Sequence, residues 1–143
     1  MTRSLSERED RLLKQAAALF VAGSVAHYID HLVIGLSATP TAVLVAGLIG
    51  ALPAALAIVL VLRSHPWGPL LSVVTGIPFA VGYAAVHLPS YWGGGVFSQP
   101  LAGHSIFDWL AVAVAIAGGL ALGLAGLYAM RVKPGVTVAR AQG

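Results

Sequence analysis

The segment Thr41–Leu62, TAVLVAGLIGALPAALAIVLVL, decides the fold class. After Thr41 it offers no polar side chain along its whole length. Wound as an α-helix rising ~1.5 Å per residue, it is long enough for the roughly 30 Å hydrocarbon core of a bilayer. A surface helix of a soluble protein carries a polar face, and this one has none. It reads as a transmembrane span. Pro53 is a point where it can kink, and Gly47/Ala51 and Gly50/Ala54 are small-residue pairs that admit a close neighbour.

Outward from this span, three more apolar stretches of comparable length appear, at about 13–35, 69–88 and 106–130. Of 143 residues, 58% are hydrophobic and 9% charged, against about 25% charged in a soluble domain. Mean hydropathy is +0.88. The expectation is an all-α integral membrane protein, one membrane domain over residues 1–143, folded as a four-helix transmembrane bundle. No soluble domain and no internal repeat stands out. Ser6-Glu7-Arg8-Glu9 fits a capping box, so the first helix is expected to start near Glu7, ahead of its span. The mixed charges of Glu7, Arg8, Glu9, Asp10 and Arg11 differ from the purely basic start of a cleavable signal, so the first span is expected to be retained. In the turn Leu36-Ser37-Ala38-Thr39-Pro40, Thr39 is placed to cap the second span and Pro40 to open it. Thr75, Gly76 and Pro78 mark an expected irregularity within the third span. The connection 89–103 is the one long loop, and its Tyr91, Trp92 and Gly93-Gly94-Gly95 suit a lid across the end of the bundle. Gly118, Gly119, Gly123 and Gly126 in the fourth span favour tight packing against a neighbouring helix, a second copy of the chain or a larger membrane complex.

Charge fixes an expected orientation. The eight basic residues are Arg3, Arg8, Arg11, Lys14, Arg63, Arg131, Lys133 and Arg140. All fall in the N-terminus, the second connection or the C-terminus, which by the positive-inside rule are cytoplasmic. The chain is thus read as N-in and C-in, a multi-pass protein of the cell membrane with the 36–40 and 89–103 connections outside. The net charge of +3 is a topology signal and not a nucleic-acid footprint. There is no cysteine, which excludes disulfides, thiolate metal sites, iron–sulfur clusters and thiol nucleophiles. No nucleophile triad or phosphate-binding loop is present.

Against this apolar background, Ala26-His27-Tyr28-Ile29-Asp30-His31-Leu32 stands out. Ionisable residues inside a span are costly, each roughly 2.5–3.5 kcal/mol at mid-bilayer, and mark a functional site by default. At about 100° per residue, His27 and His31 share a helix face one turn apart, with Asp30 beside them. On the topology above, His31 lies ~6 Å and His27 ~12 Å below the outer end of the first span. His87 closes the third span on the same side, four residues after Tyr83, and His104 and Asp108 open the fourth there. Four of the five histidines therefore gather in the outer half of the bundle, and His65 alone lies on the other side.

Imidazole and carboxylate donors without thiolates suit zinc, copper(II), iron, nickel or manganese. The expected ligands are His27, His31, His87 and His104, with Asp30 and Asp108 as ligands or as partners that orient the rings. Such an ion could be transported, sensed or catalytic, and enzyme status stays open. Asp30-His31-Leu32 preceded by His27 resembles the His/Asp-His signature in an early helix of nickel/cobalt permeases, and over these residues the resemblance implies metal binding. The same residues admit other readings. A pair such as His27 or His31 with His87 can clamp a b-type haem between spans. Asp30 with its histidines can form a proton-linked site, and the glycine-rich fourth span can serve a structural subunit. Ser105-x-x-Asp108 fits a capping box and His87 a helix C-cap, both without ligand chemistry.

Overall fold

The computed structural model describes residues 5–34, 39–88 and 105–131. Four α-helices account for them, with no strand among the described residues: α1 Glu7–Ile34, α2 Thr41–Leu62, α3 Gly68–His87 and α4 Ile106–Arg131. Each is long and apolar enough to cross a membrane. The connection 89–103, His104 and the basic tail with Lys133 and Arg140 lie outside the described residues.

Helix ends follow local chemistry. α1 starts ahead of its apolar stretch because the capping box closes: Ser6 N–H donates to Glu9 Oε2 at 2.9 Å and Glu9 N–H to Ser6 Oγ at 3.3 Å. Such a cap is worth about 1 kcal/mol. α2 ends in a Schellman turn, with His65 N–H donating to the Leu60 carbonyl at 2.8 Å and Ser64 N–H to that of Val61 at 3.0 Å. Ser64 takes the left-handed φ of 51° that this turn requires. Lys14 Nζ ties α1 to that turn, donating to Asp10 Oδ2 at 2.7 Å and to Ser64 Oγ at 3.0 Å.

The packing centres on α4, which lies antiparallel between α1 and α3. Its glycines are what allow this. A Cβ on Gly118 would stand 2.7 Å from Phe20 Cα, one on Gly119 2.8 Å from the Gly76 carbonyl oxygen, and one on Gly126 2.5 Å from that of Pro69. From α3, Gly76 meets α4 in the same way, 2.5 Å from the Gly119 carbonyl oxygen. Backbones in direct contact gain dispersion energy that larger residues would forfeit by holding the helices apart. The glycine stripe of α4 is therefore occupied within the chain. At Thr75, Gly76 and Pro78, where the sequence leads one to expect an irregularity, α3 continues as helix with Pro78 inside it, and Gly76 is a point of helix approach. α2 likewise continues through Pro53.

α1 and α3 meet diagonally through large rings, Phe20 against Phe79 edge-to-face at 5.5 Å. Leu13, Ala17, Phe20, Ala54, Val61 and Leu122 form the buried core. α2 packs chiefly on α3 and touches α1 only slightly, so Leu48 and Leu52 remain 73% and 74% exposed. With neighbours antiparallel, α1 and α3 finish at the end of the bundle where α2 and α4 begin. His27, Asp30 and His31 of α1, His87 of α3 and Asp108 of α4 lie toward that end.

Candidate metal centre

His27 and His31 stand one turn apart on α1, and His87 is the last residue of α3. All three imidazoles are buried, with 4%, 6% and 3% of their surface exposed. His27 Nε2 and His31 Nε2 are 3.0 Å apart. The His27 ring centroid lies 4.5 Å from that of His31 and 4.9 Å from that of His87, edge-to-face in both cases. One ligand nitrogen from each ring falls within 4.8 Å of the other two. These are three neutral donors gathered in a space small enough for one ion.

The surroundings hold the rings in place. Tyr83, one turn before His87, sets its ring edge-on to His27 at 4.8 Å and stacks toward His87 at 6.4 Å. Phe79 continues the column, 5.8 Å from Tyr83. Thr39 closes the other side, with Oγ1 3.0 Å from His31 Nδ1 and both groups buried. Pro40, expected to be the first residue of α2, is instead its N-cap, with Thr41 first. The Thr39 hydroxyl gives His31 a partner, and a buried imidazole nitrogen without one costs about 1–3 kcal/mol.

His27 completes the picture. Its Nε2 is engaged with His31, and its Nδ1 is buried with no hydrogen-bond partner. A neutral imidazole must donate at one nitrogen and accept at the other, so either tautomer leaves one unmet need here.

The other expected site residues fall differently. Asp108 is in the capping-box arrangement of α4: Ser105 N–H donates to its Oδ2 at 2.9 Å and its own N–H to Ser105 Oγ at 3.4 Å. Asp30 is half-buried on α1. Neither belongs to the converging group, which among the described residues is His27, His31 and His87. His104 lies outside the described residues. His65 is exposed at the opposite end, where Nδ1 accepts the Trp67 N–H at 3.2 Å.

A cavity of about 310 Å³ between α1, α2 and α3 reaches all three imidazoles. Val43, Leu44 and Gly47 of α2 form one wall of this space. No family model, curated protein or solved structure matches the chain.

Proposed function

We propose that this chain is a multi-pass membrane protein that binds one divalent metal ion through His27, His31 and His87. The observation that carries the reading is the convergence of three buried imidazoles from two helices, with one nitrogen of each within 4.8 Å of the others. Three nitrogens without thiolate suit a borderline ion such as zinc, copper(II), nickel or iron(II). Thr39 Oγ1 lies 3.0 Å from His31 Nδ1; an Nδ1–H donating to that hydroxyl would leave Nε2 for the metal, the usual role of such a partner. Three protein ligands leave a fourth position for water, His104 or a substrate, the pattern of catalytic zinc sites.

Four long apolar helices support insertion into a bilayer, and the grouping of the eight basic residues supports N-in and C-in orientation. On that orientation the site opens toward the outer face of the cell membrane. The close contact of His27 with His87, 4.9 Å between ring centroids, favours an ion over b-type haem. Two axial histidines must stand on opposite faces of a porphyrin, and rings in contact leave no slot for it.

The test is elemental analysis by mass spectrometry, with an absorption spectrum, on detergent-purified wild type and the His27→Ala/His31→Ala variant. Near-stoichiometric metal in the wild type and its loss from the folded variant are expected. A metal-free, folded wild type would overturn the proposal, and a Soret band would transfer the site to haem.

A further inference from the structure

Six helical glycines, Gly23, Gly76, Gly118, Gly119, Gly123 and Gly126, are explained by packing, since a Cβ on any of them would collide with a neighbouring helix. Gly82 on α3 is different. A Cβ built there meets nothing within 4 Å. A glycine within a helix is less stable than alanine, so packing gives no reason for it. What Gly82 does border is the cavity of about 310 Å³ between α1, α2 and α3.

The lining states what could fill that cavity. Among the described residues it includes no Asp, Glu, Lys or Arg, so a charged ligand would lose its hydration with no counter-charge from them in return. Val43, Leu44, Phe79 and Val86 make the walls apolar. Polar atoms are confined to the three imidazoles and the neighbouring hydroxyls of Tyr28 and Tyr83, of which Tyr28 already donates to the Gly47 carbonyl at 3.4 Å. Aromatic faces and edges dominate the polar end. A void of roughly 150 Å³ in a protein core holds one benzene. This one therefore has room for one or two rings.

We propose that the cavity binds a neutral, flat aromatic molecule of one or two rings bearing a hydroxyl or carbonyl oxygen, with the oxygen toward His27, His31 and His87, and that Gly82 keeps the space open. This site goes beyond the metal reading and does not require it, because an imidazole nitrogen can hydrogen-bond the oxygen by itself. The oxygen is recognised by imidazole nitrogens or, in the loaded protein, by the fourth position of the metal.

The experiment is equilibrium dialysis of the full chain in lipid nanodiscs against 1-naphthol, naphthalene and naphthalene-1-sulfonate, with empty nanodiscs subtracted. Expected is saturable one-to-one binding of 1-naphthol, and affinity about tenfold or more weaker for the other two. Gly82→Leu, which fills the space, is expected to lose saturable binding, and Gly82→Ala to weaken it about threefold, both with the metal content of the wild type. Partition into wild type no greater than into empty nanodiscs would overturn the proposal. So would equal binding of all three probes, or undiminished binding in both variants. Saturable naphthol binding by a chain that holds no metal would sink the metal reading alone. Stoichiometric metal without naphthol binding would sink the cavity proposal alone.

Discussion

His27 and Thr39 are the residues on which the site turns. With Nε2 against His31 and Nδ1 buried without a partner, His27 is poorly satisfied as a purely structural histidine. Replacing it by Phe, which keeps the ring packing against Tyr83 and His87, is expected to preserve folding and abolish metal binding. Isothermal titration with zinc and a thermal melt read the two separately. If zinc affinity survives His27→Phe, the ion is elsewhere. Thr39 acts one step removed, through His31 Nδ1. Thr39→Val is expected to weaken metal binding by roughly 10–100-fold and Thr39→Ser to restore it, as for other partners of ligating histidines. Equal affinity in all three would show the hydroxyl to be incidental. At this scale the pair His27/His31 was legible from i, i+4 spacing on an apolar helix, and His87 from the side of the bundle it reaches. The contact of Thr39 with His31 was not, because a Thr-Pro before an apolar run signals only a helix start, and nothing in the spacing brings that hydroxyl to an imidazole eight residues away.

Among the helices, α4 is the element that determines the arrangement. Its glycines bring the α1 and α3 backbones close enough that a side chain has nowhere to go: the Gly119 Cβ position is 2.8 Å from the Gly76 carbonyl oxygen and that of Gly126 2.5 Å from the Pro69 carbonyl oxygen. Gly119→Leu is expected to force the α3–α4 pair apart and cost about 3 kcal/mol or more, through overpacking against rigid backbone. Gly82→Ala, by contrast, meets only empty space and is expected to be neutral or to stabilise by about 0.5–1 kcal/mol. Thermal unfolding of both variants in the same detergent distinguishes them. Equal stability would contradict the assignment of these glycines. Element bounds were readable because apolar runs end at charges and prolines, and the second span was read as Thr41–Leu62, where α2 lies. Which helix lies next to which was not readable, since four spans of similar Ala, Gly, Val and Leu content carry no pairing code. The glycines signalled close contact but could not name α1 and α3 as the partners.

For the whole molecule, the proposed orientation places the two ends of the bundle on opposite sides of the membrane. The absence of cysteine makes it directly testable. His65→Cys, in the turn after α2, is expected to react with an impermeant maleimide only after the cells are opened. Thr41→Cys, at the site end, is expected to react from outside. The reverse pattern would turn the protein over and put the metal centre on the cytoplasmic side. The proposed insertion would account for the exposed apolar surface: Leu48, Leu52 and Val33 at 73%, 74% and 81% exposure would be a liability in water and ordinary against lipid. The three imidazoles lie together at one end of that bundle, and the ion is proposed as the ligand they share.

The most direct measurement is X-ray absorption spectroscopy at the zinc edge on protein loaded with one equivalent of zinc. The account predicts three imidazole nitrogens at about 2.0–2.1 Å with one further light atom, falling to two imidazoles in His87→Ala. A spectrum with one imidazole or none, or one unchanged by loss of His87, would contradict it.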